Sequence, residues 1–148
     1  MKLETLRLPT FDYKITEIKG KNCIFDVIRK KFLILTPEEW VRQHFIHLLI
    51  NQFNYPKSLF RIEGGLRYNQ LQKRSDILVY NADGNPYLLV ECKAAEVAIN
   101  QAVIEQATRY NLTIKAQFVV ITNGINTFCF EADWNKNTYR QIQAIPQI

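Results

Sequence analysis

The sequence contains no apolar run that approaches the roughly 20 residues needed to span a membrane, which excludes a membrane helix. Charged residues stand near the N-terminus where a signal peptide would carry its apolar core, so we expect a cytoplasmic protein. The three cysteines are odd in number and lack metal-finger spacing, which is typical of reduced thiols and excludes a disulfide framework. Because repeats, low-complexity tracts and interdomain linkers are also lacking, we expect the 148 residues to form one domain.

The composition is that of a globular protein with unevenly distributed positive charge. Hydrophobic residues make up 47% of the chain and charged residues 22%, which excludes a disordered tail. The net charge is +5 and the pI is near 9.2, and a basic surface suits a polyanion such as nucleic acid. A solvated basic face explains the same charge equally well, so charge alone does not decide the function. The basic residues concentrate in two groups, 29–31 and Lys57, Arg61, Arg67, Lys73 and Arg74.

Two segments carry the pattern of helices. Thr36 is a candidate N-cap, Pro37 suits the first helical position, and Glu39 completes a capping box. Apolar residues then recur at helical spacing as far as residue 53, before a tyrosine–proline pair ends the run. A second helix is predicted over 96–112.

Alternating or continuous apolar runs predict strands around these helices. Three predicted strands follow the first helix, and two strands with a further edge strand follow the second. The predicted fold class is α/β, with a mixed central sheet flanked by helices and an added N-terminal β-hairpin. The predicted segments are 1–35 for the N-terminal strands, 36–124 for the core and 125–148 for the C-terminal strands. The individual strands are 13–19, 22–29, 59–68, 76–80, 87–93, 116–122, 127–130 and 138–142.

The pair Asp83–Gly84 predicts the turn of a hairpin. A two-residue hairpin turn needs positive φ at both central positions, and this pair is one of those that favour it. A hairpin centred there pairs residues whose numbers sum to 167, and continuing outward from the turn sets Asp76 opposite Glu91. A four-residue loop with the same centre gives the same register. The predicted pairs are Ala82–Asn85, Tyr80–Tyr87, Leu78–Leu89 and Asp76–Glu91.

This register brings three ionisable side chains to one face of the hairpin. Glu91 and Lys93 are two residues apart and therefore share a face, and Asp76 joins them because opposed residues share a face. Two carboxylates directly opposed across a strand pair destabilise it, so the cluster requires a cation. Lys93 supplies part of that charge, and a hard divalent ion such as Mg²⁺ supplies it better. The ion would polarise a phosphate and acidify a bound water that Lys93 orients or deprotonates. A plain surface ion pair of Lys93 with either carboxylate is the alternative.

Five sequence blocks resemble a known family of nucleases. They are T-P-E-E-W-V-R-Q in the first helix, K-R-S-D-I-L-V-Y and L-L-V-E-C-K-A in the hairpin, Q-A-T-R-Y in the second helix, and V-I-T-N-G after it. With Asp76-x14-Glu91-Cys92-Lys93, they resemble the PD-(D/E)XK nuclease superfamily and, more closely, the N-terminal nuclease domain of type I restriction enzyme R (restriction) subunits. The resemblance covers about 37–124. It implies a restriction-endonuclease-like core of order α-β-β-β-α-β, which agrees with the order predicted from the residues.

The resemblance implies a Mg²⁺-dependent (or Mn²⁺-dependent) DNA endonuclease. Asp76 and Glu91 would be metal ligands together with the backbone carbonyl of Cys92, whose side chain points to the opposite face and is expected in the core. Lys93 would be the catalytic lysine. The basic residues near the site would contact DNA phosphates, which carry no sequence information. These residues are Arg61, Arg67, Lys73 and Arg74.

The family also implies functional residues on both helices. Glu38 fits the spacing of the first-helix acid better than Glu39, which capping already explains, and the acid would assist metal binding directly or through water. A first-turn carboxylate stabilised by the helix dipole explains Glu38 equally well. Gln106 and Tyr110 match the Q-x-x-x-Y motif of related nucleases and lie one turn apart, as would two polar residues of an ordinary helix surface.

The sequence departs from the family in two respects. Ser75 stands before the aspartate in place of proline, and the chain has no Walker P-loop of the form G-x-x-x-x-G-K-[ST]. ATP-dependent restriction therefore does not carry over. The chain would be the nuclease module alone, either a standalone relative or a fragment, and motor, methyltransferase or specificity subunits acting in trans are possible partners. A homodimer is left open.

Two other interpretations compete with a nuclease. The first is a catalytically silent DNA-binding or protein-interaction domain of the same fold, and the second is a structural α/β domain whose Glu91–Lys93 pair is only an ion pair. His44 and His47 lie three residues apart on the first helix, but no nearby ligand completes a zinc site, so we expect a packing or surface role.

Overall fold

The computed structural model describes residues 3–61 and 77–148. In these two ranges the chain forms two sheets and two helices. The first sheet is antiparallel and three-stranded, with its strands in chain order. It comprises β1 (Ile15–Ile18), β2 (Lys21–Asp26) and β3 (Lys31–Ile34).

The helix α1 (Pro37–Asn51) follows directly from the first sheet. Its N-terminus begins as the sequence predicts, because the Thr36 hydroxyl accepts the backbone N–H of Glu39 at 3.0 Å. A short 3₁₀ turn at Lys57–Leu59 then leads into the second sheet.

The second sheet has six described strands in chain order, with α2 (Gln101–Ile114) crossing between the third and fourth of them. Those two strands, β6 and β7, are parallel, whereas every other neighbouring pair is antiparallel. A parallel pair needs a long crossover, and α2 supplies it. The strands are β4 (Phe60–Arg61), β5 (Ile77–Tyr80), β6 (Pro86–Cys92), β7 (Phe118–Thr122), β8 (Thr127–Asp133) and β9 (Thr138–Ile142).

The predicted α/β class and the mixed sheet are confirmed, and the N-terminal strands and the start of the second helix differ from prediction. The N-terminal strands form a three-stranded sheet and not a hairpin, because the chain turns at 27–30 and Lys30 adopts a φ of 55°. The second helix begins at Gln101 and not at 96, because Asn100 is its N-cap and accepts the backbone N–H of Val103. Most of the strand predicted over 59–68 lies outside the described residues.

The β5–β6 hairpin keeps the predicted register but not the predicted turn. Ile77–Val90, Leu78–Leu89 and Val79–Leu88 are paired, and each sums to 167 as predicted. Gly84 has a φ of +85°, whereas Asp83 is not among the residues of positive φ, so the predicted two-residue turn is wrong. The Asn81 side chain accepts the backbone N–H groups of Asp83 and Asn85 and widens the loop. The register consequently shifts after Val79, and Tyr80 pairs with Pro86 and not with Tyr87.

The core lies on both faces of the second sheet. Val41, Phe45 and Leu49 of α1 pack with Val90 and Cys92 in the larger cluster. Residues of α2 cover the opposite face, with Ala107 packing against Val119 and Ile121. β6 and β7 are buried on both sides, which explains their almost uninterrupted apolar runs. No helix in residues 3–61 and 77–148 has the length and apolarity to cross a membrane.

Both histidines of α1 belong to an aromatic cluster, in agreement with the predicted packing role. The His47 ring stacks on Phe11 with centroids 4.3 Å apart, and the His44 ring meets Phe11 and Trp40 edge-on. His44 Nδ1 lies 2.8 Å from the carbonyl oxygen of Trp40, which it can reach only as a donor. Burial lowers the pKa of His44, and burial together with the charge of Lys57 lowers the pKa of His47.

The free energy of unfolding is therefore expected to fall as the pH drops from about 7 to about 5. The folded pKa of both imidazoles lies below the ordinary value of 6.5, so the unfolded chain binds more protons in this window and stability is lost. Urea denaturation at several pH values measures the slope. A double variant, His44→Gln with His47→Gln, should flatten it, and an unchanged slope in that variant would assign the dependence to other groups.

Candidate active site

Glu91 and Lys93 lie at the C-terminal end of β6 and form an ion pair. Lys93 Nζ is 3.4 Å from Glu91 Oε2, and their side chains are 26% and 6% exposed respectively. The neighbouring strand β7 fixes the backbone of both residues, since Glu91 is paired with Ile121 and the Lys93 N–H donates to the Thr122 carbonyl at 2.8 Å. A nearly buried carboxylate therefore lies beside a lysine that still reaches solvent.

The two charged side chains share the face of the sheet that α2 covers. Cys92 packs with Val90 in the α1-side core, so alternation directs Glu91 to the other face, with Leu89. The predicted core position of Cys92 is confirmed. Ile121, the neighbour of Glu91 on β7, packs against α2 on this same face.

The structure places Tyr110 on that α2-covered face and Gln106 in an exposed position one turn earlier. Tyr110 packs against Leu78 and Leu89 and is partly buried. Ala107, which follows Gln106, packs on Val119 and on Ile121, the neighbour of Glu91, whereas Tyr110 packs on Leu78 and Leu89.

The first turn of α1 adjoins the segment that follows Lys93. Thr36, Pro37 and Trp40 line a cavity of about 140 Å³ together with Ala94 and Ala95. The predicted acid Glu38 is half-buried in this turn, and its neighbour Glu39 is buried. The sheet and α1 thus converge at the end of β6, although α1 packs on the opposite face from α2.

The Glu39 carboxylate belongs to a buried polar network that the sequence interpretation missed. Arg42 Nη2 lies 2.6 Å from Glu39 Oε2 and 2.8 Å from Asp26 Oδ2, and the Gln43 amide donates to Glu39 at 2.8 Å. Glu39 was expected to complete a capping box, but its carboxylate contacts Arg42 and Gln43. The i, i+3 and i+4 spacing of these residues on α1 was the available signal. Asp26 comes from β2, a non-local partner that no spacing reveals.

The charges of this network stabilise one another. Burial raises the pKa of Asp26, but the Arg42 charge and hydrogen bond and the backbone N–H groups of Ile28 and Arg29 outweigh it, so the pKa lies below its ordinary value. Burial opposes the charged form of Arg42, and Glu39 and Asp26 more than compensate, so the Arg42 pKa is raised. Asp26, Arg42 and Gln43 are fully buried. The network ties the first sheet to the start of α1.

Several predicted site residues lie outside the described residues. They are Asp76, Arg67, Lys73 and Arg74, and the pair Asp76–Glu91 is untested for that reason. Arg61 is described, and its guanidinium donates to the carbonyls of Ser58 and Phe60 and lies 5.5 Å from the Tyr80 ring centroid. It is exposed, and both hydrogen bonds come from Nη1.

The described residues at the end of β6 offer the oxygen ligands that a hard divalent ion prefers, but too few of them to hold it. Carboxylate and carbonyl oxygens are what Mg²⁺ accepts, and the Glu91 carboxylate is fixed by its strand. Within 3–61 and 77–148, no group of three or more His, Cys, Asp or Glu side chains could hold a metal ion. A metal at Glu91 therefore requires a further ligand from elsewhere, and Asp76 is the residue that the sequence predicts.

The family model described as "Type I restriction enzyme R protein N terminus (HSDR_N)" matches residues 37–146. The chain belongs to this family. The matched range of the HSDR_N chain runs from the first residue of α1 to beyond β9 and includes Glu91, Lys93 and the α1 part of the buried network. The first sheet, with Asp26, lies before it. Neither a curated protein nor a solved structure matches this HSDR_N chain.

Proposed function

We propose that this HSDR_N chain is a Mg²⁺-dependent (or Mn²⁺-dependent) DNA endonuclease of the PD-(D/E)XK type. The observation that carries the proposal is the nearly buried Glu91 carboxylate beside Lys93 at the end of β6, in a chain whose family is the N-terminus of restriction enzyme R proteins. The described order of elements, a helix, three strands, a helix and a parallel strand, is compatible with a restriction-endonuclease-like core.

In this proposal Glu91 and Asp76 hold the metal, with the Cys92 carbonyl as a further ligand. The register of the three described β5–β6 pairs supports the pairing, since the same sum of 167 relates position 76 to position 91. The bound ion would supply charge stabilisation at the phosphate and a more acidic water. Glu91 is paired with Ile121 of β7, which fixes its backbone in the parallel part of the sheet.

Lys93 would position the attacking water and stabilise charge at the phosphate. The Glu91 carboxylate, 3.4 Å away, would orient the Lys93 ammonium group. The Lys93 side chain is 26% exposed, so a substrate can contact it. We propose Gln106 and Tyr110 as residues that position the substrate from α2, and Glu38 as an acid that assists from the first turn of α1. Glu39 has its carboxylate engaged by Arg42 and Gln43, which favours Glu38 for a direct role.

DNA cleavage by the purified protein tests the proposal. Supercoiled plasmid and single-stranded DNA are expected to be cut in the presence of Mg²⁺ or Mn²⁺ and left intact with a chelator. Asp76→Ala should abolish this cleavage, because one carboxylate cannot hold the ion alone. Lys136→Ala, in the loop between β8 and β9, serves as the matched control and should cleave like the wild type.

Two outcomes would contradict the proposed site. Metal-dependent cleavage that survives Asp76→Ala would place the active site elsewhere. DNA binding without any cleavage would favour the silent module, in which the 3.4 Å contact between Glu91 and Lys93 is a structural ion pair and nothing more.

A further inference from the structure

The outer face of the first sheet carries exposed apolar side chains. Ile15, Ile24 and Leu33 form one row across the three strands, and Ile15 and Ile24 pack with Trp40, so alternation directs the neighbouring rows outward. On the outward side Ile34 is 54% exposed, Ile18 42% and Phe32 38%. Phe25 and Phe32 are directly paired across β2 and β3 and pack edge to face, with ring centroids 5.3 Å apart. We call this face, with Phe25, Phe32, Ile18 and Ile34, the outer platform.

Exposed lysines surround the outer platform. Lys21 lies on the platform face opposite Ile18, and the Lys14 ammonium sits 5.8 Å from the centroid of the Phe25 ring. The turns at the two ends of the sheet add further cations. All five lysines of this segment are exposed. They are Lys14, Lys19, Lys21, Lys30 and Lys31, of which Lys31 is paired with Asp26 and is directed by alternation to the opposite face.

Negative charge offsets this group only slightly. The segment 14–34 contains two acidic residues, Glu17 and Asp26, and Asp26 is fully buried against Arg42. Arg29 also contacts Asp26, which leaves the lysines without an equal number of exposed carboxylates. The outer platform therefore combines exposed aromatic rings with surrounding residues of net positive charge. A polyanion that also carries flat apolar groups would fit this surface.

We propose that the outer platform binds single-stranded DNA, with phosphates against the lysines and a base stacked on Phe32. Unpaired bases stack on exposed aromatic rings, and this contact together with a basic surface is the usual basis of binding without sequence preference. A duplex keeps its bases stacked on one another and cannot use the ring in this way. The site lies outside the family-matched range and is separate from Glu91 and Lys93. Only the choice of DNA over RNA rests on the proposed function.

Fluorescence anisotropy with a labelled oligo(dT) in a chelator tests the platform without any cleavage. Phe32→Leu keeps an apolar side chain but removes the ring, and it should weaken oligo(dT) binding about tenfold while a duplex of equal length is little affected. A double variant, Lys14→Ala with Lys21→Ala, should reduce the slope of log K against log salt by about 1.4, since each single-strand phosphate contact contributes about 0.7. Because Phe32 and both lysines are exposed, these variants should fold, and circular dichroism verifies it.

The control variant is Lys136→Ala, which removes one positive charge from the β8–β9 loop and should leave oligo(dT) affinity unchanged within about a factor of two. Equal affinity of Phe32→Leu and the wild type would overturn the proposal. Competition by poly-L-glutamate as effective as that by oligo(dT) would also overturn it, in favour of an acidic protein partner. Platform variants that lose oligo(dT) binding but still cleave plasmid would separate this site from the proposed active site.

Discussion

Glu91→Gln is expected to reduce metal-dependent DNA cleavage by about a thousandfold or more. Glutamine keeps the shape of the side chain but cannot offer a charged oxygen to a cation, and a bound metal contributes several kcal/mol of transition-state stabilisation. Mn²⁺ affinity, measured by calorimetry, should fall in parallel. The matched control is Glu131→Gln on β8, which removes a carboxylate paired with Arg140 far from the strand end.

Lys93→Met separates the two roles in the same site. Cleavage should fall by about 10²- to 10⁴-fold, the usual contribution of a positioned proton-transfer group. Mn²⁺ affinity should be retained or increased, because a positive charge 3.4 Å from the Glu91 carboxylate is removed. If Lys93→Met weakened Mn²⁺ binding as much as Glu91→Gln, Lys93 would be a structural residue and its catalytic role would be wrong.

Arg42→Leu is expected to lower the free energy of unfolding by about 3–5 kcal/mol. The substitution leaves the buried Glu39 carboxylate without its cation and leaves Asp26 with Arg29, at 3.2 Å, in place of the closer Arg42, and leucine cannot replace either hydrogen bond. Replacing every charge of a buried network by apolar side chains is often nearly neutral. Removing one member alone is strongly destabilising, because the charge that remains is buried and poorly compensated. Urea denaturation at neutral pH measures the loss.

The exposed pair Arg140–Glu131 provides the matched control, since the Arg140 side chain is 75% exposed. Arg140→Ala should cost less than about 1 kcal/mol, as surface pairs do. The effect of Arg42→Leu should also diminish in strong acid. The Asp26 pKa is lowered from its ordinary value of 3.8, so its contribution is complete above that value and is lost as the pH falls through the folded pKa. An Arg42→Leu cost no larger than that of Arg140→Ala would contradict the stabilising role.

Local patterns in the sequence predicted the parts of the fold that local physics determines. Thr36 and Pro37 located the start of α1, and the apolar run 116–122 located β7. The pairing Leu78–Leu89 was predictable because turn position sets register in a hairpin, even though the type of turn was not the one expected. The wider loop arose because the Asn81 side chain replaces backbone partners, a contact that a dipeptide rule does not include.

Local sequence patterns do not predict contacts between residues that are far apart in the chain. Asp26 and Arg42 are 16 positions apart and belong to different elements, so neither residue's own neighbourhood predicts the pair. Glu39 illustrates the limit, since the N-cap rule explained its backbone N–H correctly but gave its carboxylate the wrong partner. At the candidate site, the face shared by Glu91 and Lys93 followed from alternation, whereas their burial depended on α2 and β7 arriving from later in the chain.

Because Asp26 pairs with Arg42, the residues that fold as one unit extend beyond the range 37–146 that matches the family. A polypeptide trimmed to 37–146 would keep Arg42 and Trp40 but lose the Asp26 carboxylate and the Glu4 carbonyl that accept their hydrogen bonds. Homologous segments grafted in front of α1 would need an acid at the position of Asp26 to be compatible. The residues before 37 and α1 are therefore expected to be inherited together as one structural unit.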